Sequence, residues 1–209
     1  MIEVLLVRHG ETTWNIEGRI QGYSADSPLT ELGTEQAEAV ARQLAREGIR
    51  RLFSSDAGRA RETARPIARA TGLHAFFDPG LRERNYGIFE GKTYADIERE
   101  FPADYQAIRT RDPHYVVPGG ESAAQFFERI VATLTRIARF AQGGRIAVVT
   151  HGGVLGAMYR HATGVPLDAK RDFPLKNASI NRLHFARGSW ALAGWGDVTH
   201  FEDSARGDA

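Results

Sequence analysis

An α/β fold, a three-layer α/β/α sandwich on a mostly parallel sheet, is predicted by three features of the chain. Two apolar runs, at residues 4–7 and 146–149, each lead through a polar residue into a histidine and a glycine. Strand-like and helix-like segments alternate from the start, which calls for parallel strands with helices on both faces. The tail carries two strand-like runs around a short Gly-containing turn, which predicts an antiparallel edge.

The first run reads LLVRHGETTWN over residues 5–15 and breaks at Gly10. Arg8 and His9 therefore fall at the carboxyl end of a strand, where open α/β sheets hold their ligands. Residues 15–28 are rich in Gly, Ser and Asp and read as a loop. Thr30 is an N-cap for a crossover helix with Leu32, Ala37, Val40, Ala41 and Leu44 at helical spacing, ended by Gly48. Residues 49–55 form a second strand, and a helix runs from about Gly58 through Ala70, stopping near Gly72. Residues 73–77 are a third, peripheral strand.

Short helical patterns over residues 93–118 are interrupted by Pro102 and Pro113. This region is predicted to be a helical insertion at the mouth of the site, within one domain spanning 1–209, because it is too short to hold a core of its own. Pro118-Gly119-Gly120 is a turn. Residues 121–140 form a long amphipathic helix presenting Phe127, Ile130, Val131, Leu134, Ile137 and Ala138. A buried strand over 145–150 ends at His151-Gly152-Gly153, before a helix reaching about Thr163. Strands over 179–185 and 190–196, joined at Arg187-Gly188-Ser189, close the chain as a hairpin at the sheet edge.

With 209 residues the chain is long enough to bury a core without staples, and it has no cysteine, which excludes thiol catalysis and cysteine metal sites. Lys and Arg number 27 against 26 Asp and Glu, a formal net charge of +1, so no global field points to nucleic acid or an anionic membrane as partner. The N-terminus enters strand-like sequence at once, without the pattern of a leader, and no run approaches the length of a membrane span. The expectation is a soluble, cytoplasmic protein. Composition says nothing of its oligomeric state.

An arginine beside a histidine at a strand end suits phosphoryl chemistry. The guanidinium fork matches phosphate oxygens, and its charge keeps a neighbouring imidazole neutral and so nucleophilic. On this tripeptide alone, a histidine satisfied in a loop is an equal reading. A parallel sheet, however, brings Arg8-His9, the loop after Ser55, and His151-Gly152 to one edge, and Arg59 at the start of the following helix would face the same place. Helix N-termini there add backbone N–H groups suited to an anion. Arg59 taken alone could equally be a surface arginine, and Glu83 a solvated turn residue. His9 and His151 without a cysteine or a carboxylate partner make a poor zinc set, so neither metal nor cofactor is expected.

The segments LVRHGETTWN, PLTELG, SSDAGRARETA, LRERNYGIFEG, PGGES and VVTHGGV run through most of the chain. In that order they resemble the histidine phosphatase superfamily, on the branch of the cofactor-dependent phosphoglycerate mutases and their small phosphatase relatives. The resemblance implies that His9 is the nucleophile forming a phosphohistidine, with Arg8, Arg59 and His151 holding the phosphoryl oxygens. It implies that Glu83 protonates the leaving oxygen and later takes a proton from water. Asn15, Gln21, Gly22, Arg84, Tyr86 and the Gly152 amide fall where the family contacts phosphate or substrate.

Three reactions fit that pattern. A phosphomonoesterase of small phosphorylated metabolites is favoured, because Gly152-Gly153-Val154-Leu155 after the second histidine resembles the small phosphatases. No paired-arginine segment of the mutase kind appears in the insertion. A phosphoglycerate mutase is the alternative, supported by Arg84 and Tyr86 in ERNYG. A catalytically silent phosphate-binding module is least favoured, since every group the chemistry needs is present.

Overall fold

The computed structural model describes residues 1–201. Six strands form one sheet in the order β3-β2-β4-β1-β5-β6. They are β1 (Ile2–Arg8), β2 (Arg51–Ser54), β3 (Ala75–Phe77), β4 (Gly144–Thr150), β5 (Ile180–Ala186) and β6 (Ser189–Asp197). The first four are parallel, whereas β5 pairs antiparallel with both β1 and β6. The predicted mixed sheet and its antiparallel edge are therefore observed. A Gly-containing two-residue turn joins β5 to β6, with Arg187 at φ 52° and Gly188 at φ 85°, the left-handed backbone that a tight hairpin requires.

The central strands are apolar because both their faces are covered. Along β1, Ile2, Val4 and Leu6 enter one core and Leu5 and Val7 the other, as the two-residue period of a strand dictates. Helices α2 (Glu31–Arg46) and α3 (Gly58–Thr71) cover one face through Val40, Leu44, Ala60 and Ile67. Helices α6 (Ala123–Ala141) and α7 (Gly152–Thr163) cover the other through Ile130, Leu134, Leu155 and Met158. Thr30 caps α2 as expected, its side chain accepting from the Gly33 N–H. Among the described residues, no helix is long and apolar enough to cross a membrane.

One expectation needs correction. The polar stretch after Trp14 opens with a short helix, α1 (Thr13–Glu17), held by a reciprocal cap in which Thr12 and Asn15 exchange side chain to backbone hydrogen bonds of 3.1 and 3.2 Å. Helical periodicity cannot register in five residues. The insertion, with α4 (Tyr94–Glu100) and α5 (Pro102–Arg109), packs on a small cluster in which its Ile97 and Val117 are fully buried against Phe89, Ile20 and Tyr86 from outside the segment. Pro102 begins α5 at a position where its missing N–H is harmless.

The turn after β1 lies against the first turn of α2 so closely that both facing residues are glycine. A Cβ on Gly10 would lie 2.3 Å from the Gly33 carbonyl oxygen, and one on Gly33 2.0 Å from that of Glu11. Gly33→Ala should therefore lower stability by about 2 kcal/mol and the melting temperature by roughly 4–8 °C. A thermal melt within 1 °C of the parent, on the order of the scatter between preparations, would show that this contact yields without strain.

Candidate active site

Register alone brings the two histidines together. Parallel β1 and β4 pair Arg8 with Thr150, so the next residue on each strand is a histidine. Their ring centroids are 5.4 Å apart. The His9 N–H also donates to the Thr150 carbonyl at 2.9 Å, which extends the pairing one residue past the strand end. His9 is 3% exposed and His151 fully buried.

The tautomer of His9 follows from its partner. Nδ1 lies 2.8 Å from the carbonyl oxygen of Gly10, and a carbonyl can only accept. Nδ1 therefore carries the proton, leaving the Nε2 lone pair free. Burial pushes the imidazole pKa well below its ordinary value, the charges of Arg59 and Arg8 push the same way, and the Gly10 hydrogen bond opposes them weakly. His151 is lowered well below its ordinary value by burial and then by Arg59 and His9. Its Nε2 lies 2.8 Å from Ser55 Oγ. Both rings are uncharged at neutral pH.

Arg8 and Arg59 flank these rings with one edge of each guanidinium held and the other unbonded. Arg8 Nη1 donates to the Leu175 carbonyl. Arg59, 2% exposed, donates from Nη1 to Asp26 Oδ1 at 2.8 Å and to the Ala25 carbonyl at 3.3 Å, and from Nη2 to the Gly22 carbonyl at 3.1 Å. Each Nε is buried without a partner among the described residues, as is His151 Nδ1, although His151 stands behind His9 and does not line the cavity. Buried polar atoms are nearly always bonded, so two unpaired guanidinium Nε atoms on residues lining one cavity mark a site built for a ligand. An Nε–H with a neighbouring Nη2–H is the fork that grips two oxygens at once. Burial pushes the Arg8 pKa down to about 10, against the pull of Glu83, and it stays charged.

Glu83, 8% exposed, accepts from the Arg84 N–H at 2.8 Å and the Gly153 N–H at 2.7 Å. Gly153 is glycine for a steric reason, since a Cβ would lie 2.1 Å from Glu83 Oε1. Arg8, His9, Arg59, Glu83 and Gly152 together line a cavity of about 190 Å³, with the expected Asn15, Gln21 and Tyr86 also in its wall beside Arg19, Ile20 and Tyr94. The cavity is wide enough for one tetrahedral oxyanion and the start of its substituent. Gly152, the first residue of α7, faces it at the positive end of the helix dipole.

Two of the expected substrate residues sit elsewhere. Gly22 stands off the wall: its carbonyl holds Arg59 and its Cα abuts Glu90, so that a Cβ would lie 1.9 Å from Glu90 Oε1. Arg84 lines the two neighbouring cavities rather than this one. Four supporting residues escaped the sequence reading. Asp26 orients Arg59, Ser55 meets His151, and Asn177 Nδ2 donates to the His9 carbonyl at 3.1 Å and to Asn15 Oδ1 at 3.0 Å. Arg129 donates to the carbonyls of Gly80, Arg82 and Glu83, bracing the segment that carries the glutamate. Single polar residues in loops or on a helix face carry no periodic or motif signal.

A family model described as histidine phosphatase superfamily (branch 1) matches residues 4–198. The chain belongs to the histidine phosphatase superfamily. A relative from Escherichia fergusonii named "Probable phosphoglycerate mutase GpmB" is 39% identical over 210 residues, spanning 98% of this chain and 97% of its own. Among solved structures, Bacillus stearothermophilus YhfR is similar with a TM-score of 0.88 at 32% identity, over 96% of this chain and 99% of that one. A mycobacterial glucosyl-3-phosphoglycerate phosphatase is similar with a TM-score of 0.80 at 30% identity, over 93% and 98%. This histidine phosphatase thus has both mutase-named and phosphatase-named relatives.

Neutral, buried imidazoles tie stability to pH. The unfolded chain titrates both rings near pH 6.5, whereas the folded chain resists protonating them, so below that pH the unfolded state binds more protons and stability falls. Each ring should contribute a slope of about 1.4 kcal/mol per pH unit below about pH 6.5. Urea titrations across that range should show the loss, and His9→Gln should remove its share of the slope. An unchanged slope in the variant would contradict the buried neutral state of His9.

Proposed function

We propose that this protein is a metal-independent phosphomonoesterase acting on small phosphorylated metabolites through a phosphohistidine on His9. The observation that carries this reading is the His9 Nδ1–H donated to Gly10, which leaves Nε2 as a nucleophile inside a cavity walled by two guanidinium edges. In the first step Nε2 attacks phosphorus, the bond to the leaving oxygen breaks, and protonated Glu83 gives that oxygen its proton. In the second, Glu83 takes a proton from water, whose oxygen attacks phosphorus and releases His9 and inorganic phosphate. A covalent intermediate divides one difficult displacement into two easier ones. The guanidiniums, the Gly152 amide and His151 stabilise charge on the equatorial oxygens.

Tyr86 and Tyr94 line both this cavity and a larger one of about 560 Å³ beneath the insertion, where Phe89, Tyr105 and Arg109 stand. That chamber gives the second step a route for water. A phosphoglycerate mutase is the competing reading, and the name of the Escherichia fergusonii relative favours it. The chemistry on His9 is the same until the second step, when bound product rather than water takes the phosphoryl group. Incubation of 3-phosphoglycerate with 2,3-bisphosphoglycerate separates the two. Phosphate release faster than isomerisation is expected, and the reverse order would select the mutase.

His9→Ala should abolish phosphate release from p-nitrophenyl phosphate, and activity surviving both that change and EDTA would remove the nucleophile assigned. Glu83→Gln should slow hydrolysis of alkyl phosphates by about 10²-fold or more, yet slow p-nitrophenyl phosphate far less, because that leaving group needs little protonation. Equal losses on both would take the acid role from Glu83.

A further inference from the structure

Several buried or half-buried arginines in this protein are matched to a carboxylate: Arg59 to Asp26, Arg82 to Asp56, Arg129 to Glu121, and Arg145 and Arg182 to Glu3 and Glu47. Among the described residues, the half-buried Arg84 and Arg160 and the exposed Arg171 make no ion pair. All three line one cavity of about 260 Å³, which Tyr86 and Gly153 separate from the cavity around His9. Gly153 is the residue whose amide holds Glu83, so this second cavity opens beside the proton donor, on the side where a leaving group would emerge.

Two of the three guanidiniums, those of Arg84 and Arg160, are anchored. Arg160 Nε and Nη2 donate to the carbonyls of Pro166 and Ala169 at 3.1 and 3.0 Å, which ties α7 to the loop that follows it. Its Nη1 makes no hydrogen bond and lies 3.7 Å from where a Cβ on Gly156, a wall residue, would stand. Arg84 donates only its Nε, to the Glu121 carbonyl at 3.1 Å, with its guanidinium 5.2 Å from the centre of the Tyr86 ring. Arg171 donates to nothing among the described residues. Burial and then the charge of Arg171 lower the Arg160 pKa, with Asp172 opposing and Arg111 adding to the repulsion, and Arg171 acts on Arg8 as well. Three guanidiniums around one cavity, none of them in an ion pair among the described residues, make a recognition device for an anion.

We propose that Arg84, Arg160 and Arg171 form a second anion subsite that selects organic monophosphates bearing another acidic group, a carboxylate or a second phosphate, on the leaving-group side. Arg160 and Arg171 come from α7 and the loop after it, outside the insertion, so the subsite has no paired-arginine signature in the sequence. The assignment of the leaving-group side rests on the phosphomonoesterase reading.

Calorimetry on His9→Ala tests the subsite without turnover. Glycerol 3-phosphate and 3-phosphoglycerate differ at one carbon, a hydroxymethyl against a carboxylate, and 2,3-bisphosphoglycerate adds a phosphate. The acid-bearing ligand should bind about 10- to 100-fold more tightly than glycerol 3-phosphate, the range of a charge-assisted contact. Adding Arg171→Ala should cut that ratio by about tenfold or more. Arg171 holds no hydrogen bond whose loss would disturb folding, and Arg160→Gln serves as a second variant. Tightest binding of 2,3-bisphosphoglycerate assigns a phosphate, and of 3-phosphoglycerate a carboxylate. Equal binding of all three, or a loss in Arg171→Ala that is uniform across them, overturns the subsite. Failure of the phosphomonoesterase reading would show separately, as absence of phosphate release from p-nitrophenyl phosphate by the unaltered protein.

Discussion

One short hydrogen bond, from His9 Nδ1–H to the carbonyl of the next residue, decides what this site can do. An imidazole free to choose its tautomer presents either a donor or a lone pair to its ligand, and only the lone pair can attack phosphorus. The bond requires the chain to turn back at residue 10, and the turn requires Gly10 to pack against Gly33 at a distance no side chain allows. The Gly10 N–H is in turn fixed by Thr63 Oγ1 at 3.0 Å, from the helix that carries Arg59. The proposed nucleophile, the proposed phosphate clamp and the turn are one packed unit.

Charge is arranged with the same economy. Two arginines, Arg59 buried and Arg8 half-buried, would be costly if their donors were left unmatched. Each is anchored on one edge by carbonyls, Arg59 also by Asp26, and keeps its other edge for a ligand. Burial, helped by their field, holds the His9 pKa well below its ordinary value, so the groups proposed to bind the phosphoryl oxygens also help to maintain the proposed nucleophile. Glu83 faces the same space from a separate segment, braced by Arg129 and capped by the α7 amide of Gly153. Acid and nucleophile are thereby held on different supports, as a reaction with groups acting at opposite ends of a breaking bond requires.

The layers and strand order were legible because they follow from patterns that span many residues. The apolar runs at the centre of β1 and β4 announced burial on both faces, and the parallel register then placed His9 beside His151 without further assumption. Arg8, Arg59 and Glu83 were legible as a group through motifs spread along the chain, and all three line the cavity. What stayed hidden is carried by single contacts: Asp26 on Arg59, Asn177 on the His9 carbonyl, and α1 held by a cap between Thr12 and Asn15. Gly22 shows the opposite failure, for a motif position expected to touch substrate instead supports Arg59. The small cluster on which the insertion packs was invisible because Phe89, Ile20 and Tyr86, which complete it, lie outside that segment.

The central claim is the identity of the attacking atom, and it is most directly tested by trapping the intermediate. The enzyme is mixed with excess p-nitrophenyl phosphate, quenched in base during turnover, and the phosphorylated peptide located by mass spectrometry and its imidazole isomer assigned by phosphorus NMR. Phosphate on Nε2 of His9 is the predicted result. Phosphate on Nδ1 of His9, on His151 or on any other residue, or turnover with no covalent species, would contradict the account.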